Sequence, residues 1–184
     1  MPAMSGAQWT VLAVAAVLVF WMVGGYNRLV ALRTTIGQAF AQIDELVQRR
    51  NAAAIALVSA ARPAMVAEQS ALDAWLAAQA AARTAADALR ARPVVADRAA
   101  ALQSAEPALA AATARVMALL DQHPEVLSEA TTAAHVATLR EIDARLGFAR
   151  QLFNEAAQAY NDAARQFPTR LLTRLYGFGT AGRL

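Results

Sequence analysis

The chain has 184 residues, a formal net charge of +3, and a composition that is 58% hydrophobic but only 17% charged. It holds no cysteine, which excludes disulfides, thiol nucleophiles and thiolate metal sites. All its basic residues are arginines, spread along the chain without a cluster or interleaved aromatics, so no nucleic-acid partner is expected.

The first eight residues form a short tail. Trp9 to Gly25 follow as 17 residues without a charge, near the lower limit for a helix that crosses a bilayer. Trp9 and Trp21 stand near its two ends, where interfacial aromatics belong. Ser5 and Gln8 suit a capping box before the run. Tyr26, Asn27 and Leu29 can prolong the helix past Gly25. A cleaved signal peptide would want basic residues in the first eight positions and an A-x-A site after the run, and neither is present. A buried core helix is disfavoured by an extreme N-terminal run that is apolar on every side. No two small residues of the run lie four apart, so it has no G-x-x-x-G-like dimer signal. Arg28 and Arg33 follow the span and no arginine precedes it. The positive-inside rule then puts the N-terminus outside and the rest in the cytoplasm. Trp9, Trp21, Arg28 and Arg33 are the expected anchors at the membrane interface.

Downstream the pattern is helical. Leu29, Leu32, Ile36, Phe40, Ile43 and Val47 recur at steps of three and four, one face of an α-helix. Glu45 and Arg49 are spaced to pair on it. Alanine, the best helix former, carries this helix to Arg62, and Pro63 breaks or kinks it. A second helix is expected from about Ala64 to Arg90 and a third from about Asp97 to Leu120. Pro107 should kink the third or start it afresh. After the turn at His123-Pro124, Leu139, Ile142, Leu146, Ala149, Leu152, Phe153, Ala156, Tyr160, Ala163 and Phe167 trace one stripe, which Pro168 ends. Glu141 and Arg145 flank it as an i,i+4 pair. Nothing alternates with period two. The expected fold is therefore all-α: a transmembrane helix that continues into an antiparallel up-and-down four-helix bundle.

No motif points to catalysis. Gly177, Gly179 and Gly182 make a literal G-x-G-x-x-G, but a dinucleotide site needs a strand before it and a helix after it; a flexible tail is expected instead. His123 in its turn, beside Asp121 and Glu125, is a poor metal site, and His135 has no partner at helical spacing. Asp44-Glu45 and Glu141 with Asp143 read as solvated faces, because neighbouring positions on a helix do not face each other. Trp75 reads as a core residue. No E-x-x-H di-iron pattern appears. No catalytic residue, cofactor or metal is expected.

Two blocks carry a family resemblance. YNRLVALRTTIGQAFAQIDELVQRR (residues 26–50) resembles the opening of the LemA family of bacterial membrane proteins, and residues 123–172 resemble that family's C-terminal half. Tyr26, Asn27, Asp44, Arg49 and Arg50 fall in the first block. Ile142, Ala149, Arg150, Phe153, Asn154, Tyr160, Asn161, Phe167 and Pro168 follow the second block's pattern, and Gly177-Phe178 matches the family's GF ending. Ile55 stands where the family often has proline, Pro63 where it tends to have glycine, and Phe153 where it has tyrosine. Residues 78–115 match poorly. The resemblance implies a single-pass protein of the bacterial inner membrane, with residues 26–168 as the helical domain and 169–184 as a partly helical tail. It supplies no catalytic residues, so the motif positions are expected to serve packing. Some relatives help build magnetosome membranes. A structural or self-assembling membrane protein is therefore expected, its partners the lipid bilayer, copies of itself and another membrane protein. The alternative is a regulatory adaptor for a membrane protease or sensor.

Overall fold

The computed structural model describes residues 6–167, 169–170 and 179–184. Within them the chain forms five helices and no strand: α1 (Gly6–Ala61), α2 (Gln69–Ala91), α3 (Ala96–Asp121), α4 (Pro124–Leu127) and α5 (Ala130–Arg165). The capping box expected at Ser5 lies outside the described residues.

Helix α1 has 56 residues, a length of about 84 Å at the α-helical rise. It contains no proline. Its two parts meet different surroundings. From Gly6 to Arg28 no residue is buried, although the apolar window there has a mean hydropathy of 1.9 and is long enough to cross a membrane. That exposure disposes of a core helix. From Leu29 onward the expected stripe turns inward: Leu29, Ile36, Phe40, Ile43 and Val47 are all buried.

Pro63 ends α1 as expected, but α2 starts later than the sequence suggested. Residues 62–68 form turns, tied by the Gln69 side chain, whose Nε2 donates to the Arg62 and Met65 carbonyls at 2.9 and 3.0 Å. Helix α3 runs through Pro107 without ending there, so no fresh start occurs; the alanines around Pro107 hold the helix on both sides. Pro124 opens the single turn of α4 from the first helical position. Helix α5 stops at Arg165, before Pro168, because Gln166 is already extended (φ −71°, ψ 145°), the conformation that a residue two before a proline can take freely.

Helix α1 packs on α5 and on α2, α2 packs on α3, and α4 links α3 to α5. The contacts show antiparallel neighbours. Arg28 meets Gln166 and Arg50 meets Asp143 across α1 and α5; Asp44 meets Arg90 and Arg62 meets Asp73 across α1 and α2. The apolar core has two parts. Nearer the exposed end of α1, Phe40 and Ile43 pack with Leu89, Leu102, Phe153 and Tyr160. Phe40 and Phe153 meet edge to face at 6.0 Å, a geometry worth about 0.5–1.5 kcal/mol beyond burial. At the far end Leu57, Met65, Leu109 and Leu139 surround Trp75, whose indole donates to Thr113 Oγ1 at 2.9 Å. Trp75 is thus a core residue, and its one polar atom is satisfied.

Candidate functional site

Two asparagines make the most specific contact of the domain. Asn154 and Asn161 are seven residues apart on α5, so they lie on one face about 10 Å apart along the axis. An extended chain covers nearly the same distance in three residues. Residues 179–184 use this match. Asn161 Oδ1 accepts from the Ala181 amide at 2.8 Å while its Nδ2 donates to the Ala181 carbonyl at 3.0 Å. Asn154 treats Leu184 the same way, at 2.8 and 2.6 Å. Each side-chain amide stands in for a neighbouring strand, satisfying both backbone groups of one residue. Tyr160, between them on the stripe, donates its hydroxyl to the Gly179 carbonyl at 3.1 Å. Burial pushes the Tyr160 phenol upward, against the opposing pull of Arg33, so the hydroxyl remains a donor at neutral pH.

The tail also depends on close approach. A Cβ at Gly182 would lie 2.6 Å from the Ala99 Cβ and 2.9 Å from the Ala96 Cα. Glycine on one side and alanine on the other let the segment press against the start of α3, and Ala181 is buried there. Gly182 is therefore a packing residue, and residues 179–184 are pinned, not loose. Gly177 and Phe178 lie outside the described residues. A cleft of roughly 350 Å³ beside the segment is lined by Arg33, Val94, Asp97, Tyr160 and Thr180.

Farther along the domain a charged cluster ties three helices together. Arg50, buried in α1, donates to Glu106 Oε1 of α3 at 3.1 Å, and Arg150 of α5 reaches Glu106 Oε2 at 2.7 Å. Asp143 of α5 lies 3.8 Å from Arg50. Burial penalises the Glu106 carboxylate, but Arg50 and then Arg150 outweigh it and hold its pKa below the usual range. For Asp143 burial dominates, Arg50 offsets it only partly, and the pKa rises. The two carboxylates are thus pushed apart in acidity. The arginine Nε of Arg50 is buried without a protein partner. A cleft of roughly 360 Å³ opens over the cluster between Ala110, Thr113 and Leu146.

Several expectations about single residues change. Asp44 is not solvated: it is buried and accepts from Arg90 at 2.7 Å and Gln48 at 2.9 Å. Asp143 stays half-exposed on the surface as expected, at the edge of the Arg50 cluster, and Glu141 pairs with Arg145 at 2.7 Å on the surface as expected. Glu45 and Arg49 are both exposed and form no ion pair. His123 is partly covered, and its ring meets Glu125 at 3.0 Å and Glu68 at 3.6 Å, with Asp121 not among its partners. The Glu125 hydrogen bond, opposed by burial and aided by Glu68, raises the His123 pKa. No group of three or more His, Asp or Glu able to hold a metal ion occurs among the described residues.

The residues expected at a membrane interface are on the outside: Trp9 is 63% and Trp21 45% exposed, and Arg28 and Arg33 are exposed along α1, as are Tyr26 and Asn27. Phe167, counted with the core stripe, is 69% exposed because the chain leaves the helix at Gln166. Pro168 lies outside the described residues. Sequence reasoning missed Glu106, Ala96, Ala99 and the contacts of residues 179–184. Glu106 sits in an alanine-rich stretch without a motif of its own. The spacing of Asn154 and Asn161 was the one available sign of the docked tail.

A family model described as "LemA family" matches residues 39–183, most of the chain. No curated protein matches it.

Proposed function

The chain belongs to the LemA family, and from that premise we propose that it is a membrane-anchored structural protein. It works without chemistry of its own, by associating with copies of itself or organising the membrane through its helical surfaces. In this reading Trp9–Gly25 crosses a bacterial inner membrane, the N-terminus is outside, and α1, α2, α3 and α5 form an up-and-down four-helix bundle in the cytoplasm. One observation carries it: α1 is a single unbroken helix, apolar and exposed over its first part and packed into the core over its second. A helix cannot bend freely as a linker does, so the bundle would be held at a set angle to the membrane and present the same faces to every neighbour. Support for association comes from the outer surface. Ala100, Ala101, Ala108, Ala111 and Ala118 leave α3 smooth and exposed, a surface that permits close helix approach. Phe148 is 63% exposed beside a shallow groove lined by Leu46 and Arg49.

Purified full-length protein in detergent and in nanodiscs should give masses above the monomer, and electron micrographs of vesicles should show ordered patches. A monomer under every condition would refute self-assembly. Cross-linking in native membranes that captures one dominant foreign membrane protein, with no self-adduct, would favour the adaptor instead.

A further inference from the structure

We propose that Phe167 and Trp21 form a second, shallow contact with the bilayer, so that the domain rests on the membrane at the end of α5 as well as through α1. This rests on the anchoring stated above. The Phe167 ring meets Trp21 edge to face, with centroids 5.1 Å apart. One residue earlier, Gln166 Oε1 accepts from Arg28 at 3.4 Å. Trp21 and Arg28 are seven residues apart, so in passing from Gln166 to Phe167 the chain reaches about two turns further along α1, toward its apolar end.

Depth follows from that contact. Trp21 lies inside the uncharged run, four residues before Gly25, which puts it about 6 Å within the run's boundary. A ring 5.1 Å from Trp21 cannot stand well out in water while Trp21 lies in lipid. Phe167 therefore sits at the junction of headgroups and acyl chains, where aromatic rings are favoured. Phe167 continues the core stripe of α5 by spacing, yet remains 69% exposed, and Trp21 is 45% exposed. Arg28 stands just above, level with the phosphates. The occupant with the matching layers, cationic above and aromatic below, is a phospholipid interface. Two contacts fix the rotation of α1 about its own axis, which a single helix leaves open.

The chain has no cysteine, so one introduced thiol can be labelled uniquely. Full-length Phe167→Cys, Val17→Cys and Phe148→Cys would each carry a nitroxide in phosphatidylcholine vesicles. Collision with oxygen, which enters lipid, is compared with collision with a nickel chelate, which does not. The label at 17 should favour oxygen and the label at 148 the chelate. At 167 the chelate should collide several-fold less than at 148. A label at 167 that behaves like the one at 148, while 17 stays in lipid, would overturn the proposal and leave anchoring intact. If 17 also meets the chelate, anchoring fails and this inference with it. A label at 167 shielded from both reagents means a protein partner covers the site, which also overturns it. Because the nitroxide replaces the ring, p-benzoylphenylalanine at 167 gives a second readout in the same vesicles: a lipid adduct is expected on irradiation, and protein adducts alone would count against the idea.

Discussion

Gly182→Ala should detach the tail from α5 without unfolding the domain. The added Cβ would lie 2.6 Å from the Ala99 Cβ, 2.9 Å from the Ala96 Cα and 3.0 Å from the Ala96 carbonyl. Two of these atoms are backbone of the first turn of α3, which cannot give way as a flexible side-chain end would. The segment is the softer partner, so it leaves. What it leaves behind is four hydrogen bonds to Asn154 and Asn161, at about 0.5–1.5 kcal/mol net each, or about 2–6 kcal/mol together at most. The loss stops there, because the freed amides of the asparagines turn to water. The readout is amide hydrogen exchange by NMR or mass spectrometry on the full chain. In the parent protein the Ala181 and Leu184 amides should be protected. In Gly182→Ala each should exchange at least about tenfold faster, the change that 1.4 kcal/mol produces, while amides around Phe40 and Phe153 keep their rates. Asn161→Ala should reproduce the pattern by removing the receiving side. Unchanged protection of Ala181 in Gly182→Ala would refute the close-approach reasoning.

Glu106→Gln should destabilise the domain by about 3 kcal/mol, the low end of the cost of removing one partner from a buried pair, because Glu106 is 20% exposed whereas Arg50 is only 7% exposed; urea unfolding in detergent measures it, and a loss below about 1 kcal/mol would show that Arg50 is not held by charge. The depressed pKa of Glu106 also sets a pH dependence: its contribution is complete above its unfolded value of 4.5 and is lost as pH falls through its lower folded value. The glutamine variant should therefore flatten the acid limb of the stability curve. Asp143 has the opposite sign. Its raised folded pKa contributes stability below the unfolded value of 3.8, and that is lost as pH rises through the folded one; Asp143→Asn should leave stability at pH 8 unchanged or higher, and a clear loss there would sink the assignment. Phe40→Ala, at 1% exposure, should cost about 3–5 kcal/mol in the same unfolding assay, whereas Phe148→Ala on the surface should stay within about 0.5 kcal/mol.

The sequence was legible where a pattern repeats over many turns. The α1 stripe from Leu29 to Val47 and the α5 stripe from Leu139 to Ala163 were readable because a helix buries one face and periodicity reports that face directly. The membrane-long apolar run was readable for a simpler reason: length without charge is a property of the chain itself. Prolines were legible only in part. Pro63 and Pro124 mark a stop and a start, but Pro107 lies within α3, since a proline removes one hydrogen bond and the flanking alanines keep the rest.

Tertiary structure alone decided which polar groups meet. Asp44 and Glu45 are adjacent in the chain, yet one is buried against Arg90 and the other faces outward, because the packing of α2 on α1 selects between them. Glu106 gains its role only when α3 is laid beside Arg50 and Arg150, more than forty residues away on either side. The docked tail is the clearest case. Asn154, Asn161 and Gly182 stand out in sequence without naming their partners, and their partnership exists because two helical turns and three extended residues span nearly the same length. Local chemistry determined the helices and the long apolar span; the matching of distances across the fold determined what holds them together.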